Sequence, residues 1–223
     1  CELTLHFAEN DDFCPANIRE AIYKKLKDKK RVTLYLYLAV GHAFGRKEDD
    51  EHYHKSSALL AHERSIAAFK NVIGPYQDLN ELWDIHLEHE FESRDVDATM
   101  ATMVAEPYVN HIPVLTGGVG FKHLRRFYSN HFIHSNPEDT SFIPISRTIG
   151  ATQVVDEMIF CFTHTKEIDW MLPNIKPTGK RVEVPLVAIV NFRGNKLYHE
   201  HIYWDQASVL VQIGLLDPTN LPV

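Results

Sequence analysis

The chain has 223 residues, 44% hydrophobic and 24% charged, enough for one large or two modest domains of ordinary folded composition. No run of about 18 apolar residues occurs, which excludes a membrane-spanning helix, and no basic start followed by an apolar core marks a signal peptide. The net charge of −7 falls wholly on residues 80–223, which hold 11 Lys/Arg against 18 Asp/Glu, while residues 1–79 hold 12 of each. That asymmetry marks a break near residue 80 and argues against nucleic acid as a partner, since phosphate binding needs a basic face. Cys1, Cys14 and Cys161 are scattered without metal-like spacing, so a reducing compartment, the cytoplasm, is expected. The chain opens on Cys1 rather than Met and is read as processed or as a piece of something longer.

Cys1–Phe7 alternates Leu3, Leu5 and Phe7 with polar residues and predicts a strand. A loop through Asp11, Asp12, Phe13 and Cys14 follows, and Pro15 suits the first turn of a helix striped by Ile18, Ala21, Ile22 and Leu26. The basic run from Lys24 to Arg31 reads as the solvated end of that helix. Arg31–Leu38 is a second strand, Gly41–Arg46 a tight loop, and Ala58–Val72 a second helix. Strand, helix, strand, helix implies two parallel strands joined by a right-handed crossover. Such a pair cannot bury its own faces, so residues 1–75 read as the end of a larger α/β domain. Gly74–Asn80 is turn-rich, and residues 76–80 are taken as a linker.

From residue 81 two helices carry Leu82, Ile85, His86, His89 and then Met100, Met103. His86 and His89 stand at i, i+3 without a recognisable third ligand, so helix-lining histidines are preferred to a metal pair and no metal is expected. Tyr108–Leu115 is strand-like, Thr116–Gly120 a loop, and Lys122–Ile133 an amphipathic helix. Four strands follow: 141–149, 152–165, 181–192 and 196–204. Lys166–Lys180, with Trp170, reads as an ordered loop suited to covering a cavity. Helices followed by a meandering antiparallel sheet make an α+β domain over residues 81–217, with 218–223 as a tail. In the last strand, period two sends His199, His201, Tyr203 and Asp205 to one side and Tyr198, Glu200, Ile202 and Trp204 to the other. The first set reads as the floor of a small-molecule pocket; the plain alternative makes Asp205 a helix N-cap with the histidines facing water.

Specific motifs add to this. Asp11 stands four residues before Pro15; His42 lies 31 residues after Asp11, within Gly41-His42-Ala43-Phe44-Gly45-Arg46; His62-Glu63-Arg64-Ser65 closes the segment. Together these resemble the C-terminal third of the dienelactone hydrolase family. The resemblance implies an α/β-hydrolase fold and a nucleophile–acid–histidine triad, with Asp11 as the acid, His42 as the base and Arg46 as the binder of a substrate carboxylate. No Gly-x-Cys-x-Gly or Gly-x-Ser-x-Gly elbow occurs, and Cys14 lies on the acid's own loop, so the nucleophile is expected outside this chain. The chain alone is then not expected to complete an acyl-transfer cycle.

Pro177–Glu183 and Tyr203-Trp204-Asp205-Gln206, continued by Leu210, Gln212, Ile213 and Gly214, resemble the SnoaL-like polyketide cyclase branch of the nuclear-transport-factor-two-like superfamily. That resemblance implies a cone-shaped curved sheet with helices, an enclosed apolar pocket, a homodimer, and an Asp at position 205 acting as acid/base without cofactor or metal. His201, Tyr203, His111 and Trp170 are candidate substrate-binding residues, with burial beside Tyr203 and Trp204 expected to raise the Asp205 pKa. The expected partner is a small lactone, ester or aromatic, polyketide-like molecule. Two functions follow: a lactone or ester hydrolase fused to a pocket domain, or a stand-alone cyclase, isomerase or binding domain.

Overall fold

The computed structural model describes residues 2–220. The chain divides into two compact units, Cys1–Tyr76 and Gln77–Val223.

In the first unit β1 (Leu3–Asn10) and β2 (Val32–Gly41) run parallel, connected through α1 (Ala16–Leu26) and followed by α2 (Lys55–Ile73). Leu3 pairs with Val32 and Phe7 with Leu36, and a register shift after Ala8 brings Asn10 opposite Gly41. The core is small, with Ala8, Tyr37, Val40 and Phe44 at its centre. Helix α1 buries no residue, and α2 buries Ala58 alone. Leu36, Leu38, Leu59, Leu60, Phe69 and Ile73 are exposed. A two-stranded parallel sheet offers too little surface to cover those stripes.

The second unit is a six-stranded sheet in the order β4-β3-β8-β7-β6-β5. Helix α3 (Leu79–Leu87) opens it, with Asp78 accepting the N–H groups of Asn80 and Glu81 as N-cap. Residues 79 and 80 are therefore helix rather than linker, and Leu79 is buried. Helix α3 runs on into a π-helical turn, Glu88–Glu92, and is followed by α4 (Val96–Ala101). Then come β3 (Met103–His111), β4 (Thr116–Val119) and α5 (Phe121–Phe127), the last also continued by a π turn, Tyr128–Phe132. Strands β5 (Ser141–Ile149), β6 (Gln153–Thr163), β7 (Arg181–Arg193) and β8 (Lys196–Trp204) form the meander, and α6 (Gln206–Gln212) follows.

Two expectations are corrected here. The sheet is not wholly antiparallel, because β3 pairs with β8 in parallel. The stretch 116–119, read as loop, is a strand paired with β3. Its two glycines hid that: at Gly117, with φ +135°, a Cβ would lie 2.0 Å from the Val109 carbonyl oxygen, so close strand approach requires glycine.

Period-two alternation builds the core. Val154, Met158, Phe160 and Phe162 of β6, Val182, Val184, Ala188 and Val190 of β7, and Ile202 and Trp204 of β8 are buried on the face that Trp83, Leu124, Phe127 and Phe132 cover from the helices. The 166–180 connection is part of this core. Ile168, Trp170, Met171 and Leu172 are buried, with the Trp170 indole N–H donating to Asn136 Oδ1 at 3.0 Å. Edge strand β5 leaves Ile143, Ile145 and Ile149 exposed. Among the described residues no helix is long and apolar enough to cross a membrane.

Candidate active site

Each unit holds its own polar constellation. In the first, both strands end at the same edge, and Asn10 opposite Gly41 places the next residues, Asp11 and His42, side by side. His42 Nδ1 lies 3.2 Å from each carboxylate oxygen of Asp11. Ionised Asp11 only accepts, so the imidazole proton sits on Nδ1 and Nε2 presents its lone pair. Slight burial works to raise the Asp11 pKa, but the His42 hydrogen bond and the N–H groups of Phe13 and Cys14 outweigh it and hold the carboxyl below its ordinary value. The Phe13 ring packs on the imidazole at 4.6 Å between centroids. Ala39 and Ala43 flank His42 with φ of 57° and 64°. That left-handed backbone costs about 1 kcal/mol per residue and is the local strain of the turn that presents the histidine.

Arg46 is exposed and closes the same turn, its N–H donating to the Ala43 carbonyl at 2.9 Å. Asp12 is exposed beside Asp11, and the Cys14 N–H closes the acid's own turn on the Asp11 carbonyl. Among the described residues no hydroxyl or thiol is hydrogen-bonded to His42. Ser65 Oγ does stand 3.0 Å from a histidine nitrogen, Nε2 of His6. It donates its own proton to the Ala61 carbonyl, so it receives the His6 N–H and is no activated nucleophile. His6 Nδ1 meets the Tyr37 hydroxyl at 2.8 Å, completing a link between helix and sheet.

In the second unit a cavity of about 40 Å³ is walled by aromatic rings, among them Trp83, Phe91, Phe132, Phe160 and Trp170, with three titratable residues in its lining: Glu90, His111 and Glu200. Its volume is far below the 300 Å³ or more typical of pockets for drug-sized ligands. His111 packs among Phe127, Phe132, Trp170 and Trp204, and its Nδ1 lies 3.3 Å from the Thr116 carbonyl. Burial drives its pKa down to about 3, the carbonyl opposing only weakly, so the ring is neutral.

Opposite stands a buried cluster. His86 Nε2 lies 3.1 Å from Glu90 Oε1 and 3.2 Å from Glu200 Oε1, while the Tyr128 hydroxyl donates to Glu200 at 3.3 Å. Burial alone would depress the His86 pKa, but the charges and hydrogen bonds of Glu90 and Glu200 push it up to about 10. Burial and the neighbouring Glu200 carboxylate raise the Glu90 carboxyl against the pull of His86. These three residues supply ligand-type atoms within 4.8 Å of one another. Histidine 86 thus pairs with Glu90 at i, i+4, and His89 turns to the Ser93 hydroxyl instead.

The pocket floor read from β8 is corrected. Alternation holds, but the opposite set faces the cavity: Glu200 and Ile202 line it, and Trp204 is buried. His199 and His201 lie on the other face with Tyr108, at ring separations of 4.6 and 5.5 Å, and Tyr203 is exposed there. Asp205 is exposed and N-caps α6, accepting the Ala207 N–H at 3.0 Å and the Ser208 hydroxyl at 2.5 Å. The Ser208 bond, with the backbone N–H groups of Ala207 and Ser208, lowers its pKa, the reverse of the rise expected from burial. Of the second-unit candidates, His111 and Trp170 stand at the cavity and His201, Tyr203 and Asp205 do not. His86 is weighed in the sequence only with His89, and Glu90 and Glu200 are not candidates there; the usable signal is Glu200 between apolar residues on the alternate face and a carboxylate one helical turn after His86.

Residues 1–73 match the model of the dienelactone hydrolase family. A protein of Azospirillum brasilense that carries the name carboxymethylenebutenolidase is 39% identical over 72 residues, which is 32% of this chain and 31% of that protein. The chain thus spans about a third of the relative it matches. Among solved structures, a SnoaL-like protein of Shewanella putrefaciens, named as a polyketide cyclase, aligns with a TM-score of 0.51 at 14% identity, covering 71% of this chain and 94% of that one. A SnoaL-like protein of Jannaschia sp. CCS1 aligns at 0.48 and 14%, covering 65% and 100%. The first segment is thus similar to the dienelactone hydrolase family, and the α+β unit that follows has a SnoaL-like fold.

Proposed function

We propose that residues 1–76 are the acid-and-histidine end of a dienelactone-hydrolase-type catalytic unit, joined to a SnoaL-like unit and completed by a nucleophile from outside these 223 residues. The observation that carries this is His42 Nδ1 held at 3.2 Å from both oxygens of Asp11, with Nε2 left open. In the complete site Nε2 takes the proton of the nucleophile as it attacks a lactone or ester carbonyl, then returns it to the leaving oxygen. Asp11 fixes the tautomer and stabilises the imidazolium. Arg46 pairs with a carboxylate on the substrate, which makes a small, unsaturated, carboxylate-bearing lactone the substrate class; the name carried by the Azospirillum relative supports the same class.

The test is complementation. The part of the Azospirillum relative outside its matched 72 residues is fused ahead of this chain, and lactone hydrolysis is followed. The 223-residue chain alone is expected to leave a dienelactone or activated ester untouched. The fusion is expected to hydrolyse it, with His42→Ala lowering kcat by about 10³-fold or more. Turnover by the chain alone that disappears with His42→Ala refutes an external nucleophile. A folded, active fusion indifferent to His42→Ala refutes the role of the histidine.

A further inference from the structure

We propose that His86, Glu90 and Glu200 form a site for one divalent first-row transition-metal ion, opening on the aromatic cavity of the second unit. The three come from separate elements: the last turn of α3, the π turn after it, and β8. The Nε2–Oε1 separations of 3.1 and 3.2 Å match adjacent ligand atoms of a metal with bonds of about 2.1 Å, which lie about 3.0–3.4 Å apart.

The hydrogen bonds outside the cluster point the same way. Thr102 Oγ1 donates to the Thr99 carbonyl at 2.7 Å, so at 2.6 Å from His86 Nδ1 it can only accept. Nδ1 therefore carries a ring proton, and Nε2 is the ring atom that faces the two carboxylate oxygens, with a proton or a cation between them. The outer N–H of a metal-binding histidine is ordinarily anchored in this manner.

Charge balance and space complete the argument. Stripped of their protons, the two carboxylates and the imidazole, each at most 4% exposed, carry a charge of −2 that a single divalent ion cancels. Protons do the same only in a pair, one on Nε2 and one on a carboxyl. The cavity of about 40 Å³ borders both glutamates and has room for water at the remaining coordination positions. Tyr128, donating to Glu200, is the supporting outer partner. One imidazole and two carboxylates suit Mn²⁺, Fe²⁺ or Zn²⁺ better than the all-oxygen demands of Ca²⁺ and Mg²⁺. On binding, the ion displaces whatever protons Nε2 and the carboxyl carry, and these pass to the buffer.

The test is calorimetric titration of the chelator-treated full chain with Mn²⁺ and Zn²⁺, loaded both in the folded state and during refolding, in two buffers of different ionisation enthalpy. One high-affinity ion per chain with proton release is expected. Glu90→Gln and Glu200→Gln are each expected to weaken it on the order of tenfold or more, and Thr102→Val to weaken it without changing the stoichiometry. The neighbouring surface pair is the control, since His199 and His201 lie 4.9 Å apart on the outer face. The double change His199→Ala, His201→Ala is expected to leave binding unchanged. Absence of binding, binding indifferent to both Gln variants, or loss in the surface variant overturns the proposal. Should the Gln variants fail to fold, anomalous scattering from Mn²⁺-loaded wild-type crystals decides: a peak about 2.1–2.3 Å from His86 Nε2 supports the site, and its absence there overturns it.

Discussion

Lowering the pH from about 8 to about 5 is expected to weaken the second unit through His111. The ring is 2% exposed, packed against Phe127, Phe132, Trp170 and Trp204, and has the Thr116 carbonyl as its polar neighbour. In the fold it stays neutral down to about pH 3, whereas in the unfolded chain it gains a proton below its ordinary value of 6.5. The unfolded state therefore binds more protons throughout that window, and stability falls as the pH falls. At 1.36 kcal/mol per pH unit the loss is about 2 kcal/mol by pH 5 and approaches a ceiling of about 5 kcal/mol below pH 3. Two kcal/mol is a large share of a typical domain stability. The assay is urea denaturation followed by tryptophan fluorescence, which reads this unit alone because the three tryptophans, Trp83, Trp170 and Trp204, all lie in it. His111→Phe keeps an aromatic ring in the site without its titration, so the wild type should lose about 2 kcal/mol more than the variant between the two pH values. Equal losses, within about 0.5 kcal/mol, would mean that the ring is charged or hydrated in the fold, and the argument would fail.

The two units should also separate on cutting. Residues 77–223 expressed alone are expected to unfold cooperatively, while residues 1–76, with one helix burying nothing and the other a single alanine, should show no cooperative transition by circular dichroism. A sharp two-state melt of residues 1–76 would refute that reading of their exposed apolar faces. Asp205→Ala is expected to cost about 1 kcal/mol by loss of the α6 cap, and Asp205→Asn only a few tenths, because Asn caps nearly as well. Losses of similar size in the two variants, read from the same denaturation curves, would show that the carboxylate charge matters rather than the cap.

Much of the architecture was legible before the structure. The strands ending at Ile149 and Trp204 follow from alternation, and the short gap between the last two predicted strands is the turn around Gly194 that joins β7 to β8. Asp78 and Asp95 accept the N–H groups at their helix starts, but Asp78 lay in the turn-rich stretch read as linker. Strand β4 escaped because two of its four residues are glycine, which carries no side-chain period to read. The parallel β3–β8 pairing escaped because it joins segments far apart in the chain, and nothing local specifies which edge a strand will meet.

Site residues divide along the same line. Asp11, His42 and Arg46 came from the family resemblance, and the structure brings Asp11 to His42 because two parallel strands of set length deliver their following loops to one edge. In β8 the alternation of His199, His201 and Tyr203 against Glu200, Ile202 and Trp204 was fixed by the period of two. Which side faced inward was not. An ionisable residue reads as polar in either place, and only the helices laid across the sheet, with His86 and Tyr128 ready to receive Glu200, made burial of that carboxylate tolerable. Pattern thus determined most of the elements and the break between the units, and the family resemblance pointed to Asp11 and His42. Tertiary packing decided which face became interior, because the cost of burying a charge depends on partners that arrive from elsewhere in the chain.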